Sequence, residues 1–370
     1  MRILHTESSL GWGGQELRIL TEAAGLRRRG HDVRVASPRE APIFREAERF
    51  DVPVVALPIG RKDPLGLIAL RRALSGERID VVNCHSSTDS WLAALACRAF
   101  WLGRRRPPAL VRTRHISARV PTDAATRWLY TRATAEIVTT GEAIRQQLIQ
   151  ANGVSPARVT SIPTGVDLER FAAGDKEAAR NALELPADVP LVGIVATLRS
   201  WKGHRYLVEA MTLLTHRDAQ LVIVGDGPQA EALTAQVRSL GLANRVRFAG
   251  NQEDVVPWLQ AFDVFALPSY ANEGVPQGLV QAMAVGAPCV TTDVGAIGEI
   301  AINDATALVV AKQNAVALAA GIDRLLGDAA LVSRLVWSAR DRVHSRFGIR
   351  KMLDAMEAVF RRAADANRYR

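Results

Sequence analysis

Short runs of β-branched and aliphatic residues alternate with longer stretches of helical periodicity, and this rhythm stops once and then starts again. A strand followed by a helix-length connection and another strand forms a βαβ unit, so each half of the chain is expected to build a parallel sheet covered by helices. The first half supplies seven expected strands at residues 2–5, 32–36, 52–57, 80–84, 110–114, 136–139 and 159–162. The second supplies six, at 191–196, 220–224, 246–249, 264–267, 288–291 and 307–310. Between them lies Ile162-Pro163-Thr164-Gly165-Val166-Asp167-Leu168-Glu169-Arg170-Phe171, where proline and glycine break regular structure. At 370 residues the chain exceeds what one core usually fills. The expected fold is α/β with two Rossmann-like domains, residues 1–165 and 166–345. Residues 346–370 form a helix (Met352, Met356, Val359 and Phe360 at 3–4 spacing) expected to pack back on the first. Two such domains leave an interdomain cleft, and ligands of parallel sheets bind beyond the carboxyl ends of the strands. Residues just after strands are therefore the ones to inspect.

Composition narrows the class. With 48% hydrophobic and 23% charged residues the chain has enough apolar material for a core, which excludes a wholly disordered protein. Cys84, Cys97 and Cys289 form no C-x-x-C pair, and no histidines stand at zinc-ligand spacing. That pattern fits a reducing compartment, with no metal and no cofactor. No signal-peptide pattern and no run of 18 apolar residues occurs, so the expected location is cytoplasmic. The net charge of +9 is uneven: residues 1–165 hold 25 Lys and Arg against 15 Asp and Glu, and the remainder is close to neutral. A basic half points either to an anionic partner or to an Arg-rich solvated surface. Nucleic acid is not the expected partner, because the basic half holds no recognition motif and no stacking platform.

Four post-strand segments carry candidate chemistry. Gly11-Trp12-Gly13-Gly14-Gln15-Glu16 lies between a strand and a helix, where glycines and helix N–H groups admit phosphate oxygens, although a plain tight turn reads the same way. It is not G-x-G-x-x-G, so a dinucleotide site is not expected. Leu198-Arg199-Ser200-Trp201-Lys202-Gly203-His204 places two cations after a strand, and Val224-Gly225-Asp226-Gly227-Pro228 forms a glycine-bearing turn; either alone could be surface. The strongest signal runs from Pro268 to Gly286. A polar loop with Glu273 and Gly274 leads through Pro276 into a helix stopped by Gly286, leaving the N–H groups of Gln277, Gly278 and Leu279 free for an anion. A carboxylate beside a phosphate site suits sugar hydroxyls better than phosphate itself.

Taken together, these segments resemble the retaining glycosyltransferases of the two-Rossmann-domain GT-B superfamily, of the family 4 (group 1) type. Six elements in order carry the resemblance over nearly the whole chain: 13–16, 80–85, 162–167, Lys202-Gly203, 223–228 and 273–286. It implies transfer of a sugar from a nucleotide-diphosphate sugar donor to a glycan or lipid-linked acceptor, without a metal, in bacterial cell-surface polysaccharide or lipopolysaccharide synthesis. By the same resemblance Gly14, Arg199, Lys202 and the Gln277, Gly278 and Leu279 region hold the diphosphate, and Gly225 and Gly274 also bind the donor. Glu273 and His115, in Thr113-Arg114-His115, meet the donor sugar, and Gln281 meets the ribose. Glu273, His115 and Lys202 are the catalytic candidates, with Gly13 and His85 on the acceptor side. Gln281 departs from the second Glu of an E-x7-E element, and Thr197 stands where the family usually has an arginine. Residues 91–106 set Trp91, Phe100 and Trp101 beside Arg104, Arg105 and Arg106, which suggests peripheral contact with an anionic inner membrane; core packing of an ordinary helix explains the apolar part equally well. A GT-B nucleotide-sugar epimerase and a non-catalytic sugar-nucleotide-binding protein are the competing readings. Replacing Lys202 or Glu273 by alanine is expected to depress turnover and leave folding nearly unchanged.

Overall fold

The structure is a computed structural model that describes residues 1–100 and 106–368. The chain folds as two compact units, Met1–Pro163 with Arg350–Arg370, and Thr164–Ile349. The first holds a seven-stranded sheet: β1 (Arg2–Thr6), β2 (Asp32–Ser37), β3 (Val54–Ala56), β4 (Val81–Cys84), β5 (Ala109–Arg114), β6 (Glu136–Thr139) and β7 (Val159–Ser161). The second holds a six-stranded one: β8 (Leu191–Val195), β9 (Gln220–Val224), β10 (Val246–Gly250), β11 (Val264–Leu267), β12 (Cys289–Thr292) and β13 (Leu308–Val310). Every pairing within them is parallel. The thirteen expected strands are all present, and proline trims two of them. Pro53 has no N–H, so β3 begins at Val54 rather than residue 52, and Pro288 delays β12 to Cys289.

The strand orders are β3-β2-β1-β4-β5-β6-β7 and β10-β9-β8-β11-β12-β13. Each sheet reverses direction once, between β1 and β4 and between β8 and β11. Loops leaving the carboxyl ends of such neighbours run to opposite faces and open a crevice there. Central strands are buried on both faces, as continuous apolar runs require: Leu191, Val192, Ile194, Phe265 and Ala266 expose no more than a trace of surface.

The last helix, Ile349–Arg368, belongs to the first unit. Its Met356, Val359 and Phe360 are fully buried, each worth roughly 1.5–3 kcal/mol relative to exposure. It packs closely on the helix Gly14–Arg28, where a Cβ at Gly25 would stand 2.5 Å from Leu353 Cδ1 and the leucine would have to shift. Arg29 binds Asp354 at 2.8 Å and Glu357 at 3.3 Å on the outer side. The helix Ser87–Phe100 buries Leu92, Ala93, Ala96, Cys97 and Phe100, so its apolar stripe is core; Leu95 at 44% is its exposed aliphatic. Trp91 stacks on Trp128 with ring centroids 6.1 Å apart. Residues 101–105 of the expected membrane-contact segment lie outside the described residues. Among those described, no helix is long and apolar enough to cross a membrane, and the three cysteines are free and buried.

Candidate functional site

In the second unit the loops after β8 and β11 are fastened together. Gly203 takes φ +77°, and a Cβ there would sit 2.0 Å from the Pro268 carbonyl oxygen, so only glycine permits the crossing. Tyr270 N–H donates to the Trp201 carbonyl at 2.8 Å. This brings Lys202 Nζ within 2.7 Å of Glu273 Oε1, which also accepts from Ser269 Oγ at 2.7 Å. Glu273 is only 4% exposed. Its Oε2 has no protein partner among the described residues and can accept hydroxyl hydrogens, while two of the three Lys202 ammonium hydrogens stay free of Glu273. Against the expectation of nearly unchanged folding, a buried, hydrogen-bonded ion pair predicts that truncating either residue costs stability as well as turnover.

Helix Gln277–Val285 starts beside the end of β8: a Cβ on Gly278 would stand 2.6 Å from the Val195 carbonyl. Its first internal bond runs from Val280 N–H to Pro276 O at 3.1 Å, which leaves the N–H groups of Gln277, Gly278 and Leu279 without an intrahelical acceptor. The Leu279 side chain is core, so only its N–H faces the question of a ligand. Gly225, after β9, has φ +136°, with the Ala196 carbonyl 2.1 Å from where its Cβ would be. Gln281 lies one turn into the helix at 8% exposure, Gly274 is buried in the loop before it, and Arg199 is exposed with its guanidinium 5.8 Å from the Trp201 ring centre. The structure thus groups Lys202, Glu273, Gly225 and the start of the Gly278 helix around the carboxyl ends of β8, β9 and β11. A cavity lined by Lys176, Arg180, Asp263 and Arg340 opens near the amino ends of β8 and β11 and contains none of them.

Sequence reasoning missed His204, which is buried with neither ring nitrogen hydrogen-bonded among the described residues. Burial first, and then the Lys202 charge, push its pKa down to about 3.

The first unit places Gly13, Gly14, His85 and His115 at its own reversal point. Gly13 precedes the helix Gly14–Arg28, and its carbonyl accepts from Leu17 N–H at 3.1 Å. His85 follows β4 and His115 follows β5, and they belong to one chain of rings. His5 Nδ1 lies 2.9 Å from His85 Nε2, and His85 Nδ1 lies 2.9 Å from His115 Nε2. Burial holds all three well below the usual imidazole range, His5 to about 3, with Arg18 adding to the effect on each. His5 Nε2 faces Glu22 at 4.0 Å, and Glu22 pairs with Arg18 at 3.5 Å. Neither Arg18 nor Glu22 is exposed at all.

A second buried group surrounds the β1 and β4 ends. Glu7 accepts from Ser86 Oγ and Gln15 Nε2, each at 2.5 Å, and from Ser9 N–H at 2.7 Å. Asp89 accepts from Thr6 Oγ1 at 2.7 Å and from the N–H groups of His85 and Ser86 at 3.0 Å. Burial raises Glu7, and raises Asp89 to about 7 and Glu16 to about 8, with the Glu7 charge second for the latter two. The sequence signal for this cluster was present as polar residues packed directly behind β1 and β4, Thr6-Glu7-Ser8-Ser9 and His85-Ser86-Ser87-Thr88-Asp89.

Comparison with known proteins gives this arrangement a family. A model of glycosyltransferase family 4 matches residues 12–170, and one of group 1 glycosyl transferases matches residues 189–328. The chain is 31% identical to D-inositol 3-phosphate glycosyltransferase of Mycobacterium tuberculosis, over 95% of this chain and 79% of that protein. It is 34% identical to the Bacillus subtilis putative glycosyltransferase EpsF, over 62% of this chain and 54% of that one. Among solved structures, a Rickettsia africae glycosyltransferase superposes with a TM-score of 0.84 at 22% identity, over 98% of both chains. Anabaena HepE, solved with UDP-glucose, gives 0.83 at 22% identity, over 97% of this chain and 98% of that one. Two Rossmann-like sheets of GT-B type and matches to both family models lead to one conclusion: this chain is a glycosyltransferase of the family 4, or group 1, kind.

Proposed function

We propose that this enzyme transfers a sugar, with retention of anomeric configuration, from a nucleotide-diphosphate sugar to a glycan or lipid-linked acceptor in the synthesis of a cell-surface polysaccharide. The observation that carries the reading is the Lys202–Glu273 pair. It offers ammonium hydrogens and an unpartnered carboxylate oxygen side by side, near a helix start with three free N–H groups. Cation and helix dipole suit a diphosphate, while the carboxylate oxygen suits sugar hydroxyls. HepE, with its bound UDP-glucose, supports a donor of that class.

Departure of the nucleotide leaves negative charge on the β-phosphate. Lys202, Arg199 and the N–H groups of Gln277, Gly278 and Leu279 are the fixed partners proposed for it, and in a site poor in water such preorganised groups need no metal to act. Gly14, Gly225 and Gly274 let backbone come close to the donor. Glu273 and His115 are assigned to hydroxyls of the transferred sugar and Gln281 to the ribose. No nucleophilic side chain is required if the acceptor hydroxyl attacks on the face the diphosphate leaves. Gly13 remains the proposed acceptor contact. His85 has both ring nitrogens committed to His5 and His115, so we assign it to holding His115 rather than to touching the acceptor.

The test is a thermal-shift panel of UDP-, GDP- and ADP-linked sugars, followed by assay of nucleotide release with acceptor mixtures. One donor should raise the melting temperature, because a ligand bound only to the folded state adds RT ln(1 + [L]/Kd) of stability. Absence of stabilisation by every donor refutes the reading. Binding without release across acceptors favours the non-catalytic alternative, and product from donor alone favours the epimerase. Peripheral attachment at the cytoplasmic face of an anionic membrane is proposed from the excess positive charge of residues 1–165. Equal sedimentation with neutral and anionic vesicles would refute it.

A further inference from the structure

The three histidines of the first unit form a chain in which the proton arrangement at one end dictates that at the other. Each is neutral, so each ring has one N–H and one lone pair. Two consecutive N···N contacts of 2.9 Å then allow only two arrangements, with every bond donating toward His5 or every bond donating toward His115. At the His115 end, Nε2 is taken by His85, and Nδ1 has no protein partner among the described residues. Whether Nδ1 offers a hydrogen or a lone pair is therefore decided at the far end, about ten ångströms away by the summed ring spacings, beside the buried Arg18–Glu22 pair.

Two neighbours fix the direction there. Thr113 Oγ1 donates to Asn83 Oδ1 at 2.9 Å, which turns the Asn83 amide nitrogen toward His5 Nδ1 at 3.5 Å. A donor aimed at Nδ1 disfavours an N–H at that atom and leaves it as the acceptor. His5 then carries its hydrogen on Nε2, the nitrogen facing the Glu22 carboxyl at 4.0 Å. From that choice the rest follows: His85 Nε2–H donates to His5, His115 Nε2–H donates to His85, and His115 Nδ1 is left with its lone pair.

We propose that Asn83, His5 and His85 are positioning residues that hold His115 as a hydrogen-bond acceptor at Nδ1, so that it receives the hydroxyl hydrogen of a sugar rather than offering one of its own. The inference rests on the assignment of His115 to the donor sugar. It adds a specificity rule: the sugar position that meets His115 must carry a free hydroxyl, and an O-methyl or oxo group there is rejected. The threonine of the Thr113-Arg114-His115 element gains a function, since its hydroxyl orients the amide that sets the chain's direction.

The experiment measures the tautomer directly. The full chain, labelled with nitrogen-15 at histidine, is examined by two-bond proton–nitrogen correlation, which distinguishes a protonated ring nitrogen from an unprotonated one. His115 is expected to show unprotonated Nδ1 and protonated Nε2. In His5→Leu the acceptor is gone and His115 should become a mixture. In His5→Asn a side-chain oxygen stands close to the position of Nδ1, and the single tautomer should return. Thr113→Val, nearly the same shape, frees the Asn83 amide and should give a mixture even if His5→Leu does not fold. Turnover should fall about tenfold in kcat/KM in His5→Leu and Thr113→Val, the size of one lost hydrogen bond, and recover in His5→Asn. Protonated Nδ1 in the unaltered protein overturns the proposal, as does a single unchanged tautomer in both His5→Leu and Thr113→Val. If the resonances behave as expected while no donor binds, the histidine chain stands and the glycosyl-transfer assignment of His115 fails instead.

Discussion

Replacing Lys202 by alanine tests the site through folding before any substrate is added. The substitution leaves the Glu273 carboxylate, whose side chain is 6% exposed, with Ser269 as its remaining side-chain donor. A buried ion pair that loses one member costs ~3–5 kcal/mol, because the remaining charge is left without its partner. Ser269 offsets about 1 kcal/mol, so a net loss of roughly 2–4 kcal/mol is expected. For a unit of this size that corresponds to a fall in melting temperature of roughly 5–15 °C. Adding Glu273→Gln to Lys202→Ala removes the charge and should recover most of the loss at neutral pH. Thermal unfolding of the three proteins at neutral pH is the assay. Identical melting of Lys202→Ala and the unaltered protein, or no recovery in the double variant, would refute a buried pair and with it the geometry assigned to the donor site.

Gly203→Ala should destabilise the second unit and weaken donor binding together. The left-handed backbone alone costs about 1–2 kcal/mol, and the new Cβ meets the Pro268 carbonyl; calorimetry and a donor titration check both, and an unchanged donor Kd would detach this crossing from the site. Gln281→Glu replaces an amide by an acceptor-only group where the ribose is assigned, and should lower the donor KM by up to about tenfold. An unchanged or higher KM would remove Gln281 from the ribose. The first unit should lose stability on both sides of a mildly acidic plateau. Its three histidines are held neutral, so stability falls as pH drops below about 6.5, where the unfolded chain binds protons that the folded one does not. Burial raises Glu22 and Asp89 to about 7 and Glu16 to about 8, so these carboxyls withdraw stability as pH climbs from their unfolded value to those points. The two groups offset one another between about pH 4.5 and 6.5; melting temperatures that rise steadily from pH 5 to 8 would contradict this.

The second unit was the more legible in the sequence because its chemistry is written in backbone. Gly203, Gly225 and Gly278 each stand where a side chain would strike a carbonyl; Gly225 directly follows an apolar run, and the other two lie in the segments that follow β8 and β11. The Glu273 loop and the helix behind it are contiguous, so one reading window contains them. The same window could not show that Lys202 reaches Glu273, because the link depends on Gly203 passing against Pro268.

The first unit keeps its chemistry in side chains drawn from separated segments, and there local rules mislead. Arg18 and Glu22 stand four residues apart on a helix, the spacing of an ordinary solvated ion pair, yet neither is exposed. Their burial follows from the last helix, whose Met356 sulfur lies 3.8 Å from Arg18, and from the Ile162 carbonyl that accepts from Arg18 at 2.7 Å. Both partners lie well over a hundred residues away. His5 looks like one polar residue in an apolar strand until the register Ile3–Val81, Leu4–Val82, His5–Asn83 sets it beside Asn83. The next strand aligns Asn83 with Val111, two residues before Thr113, and carries the sequence on to His115. Parallel pairing thus converts three unremarkable positions on β1, β4 and β5 into one line of hydrogen bonds. A substitution at Thr113 should consequently be felt at His115 through Asn83 and His5, by a route that leads into the sheet and back out, and not through the two residues of backbone that separate them.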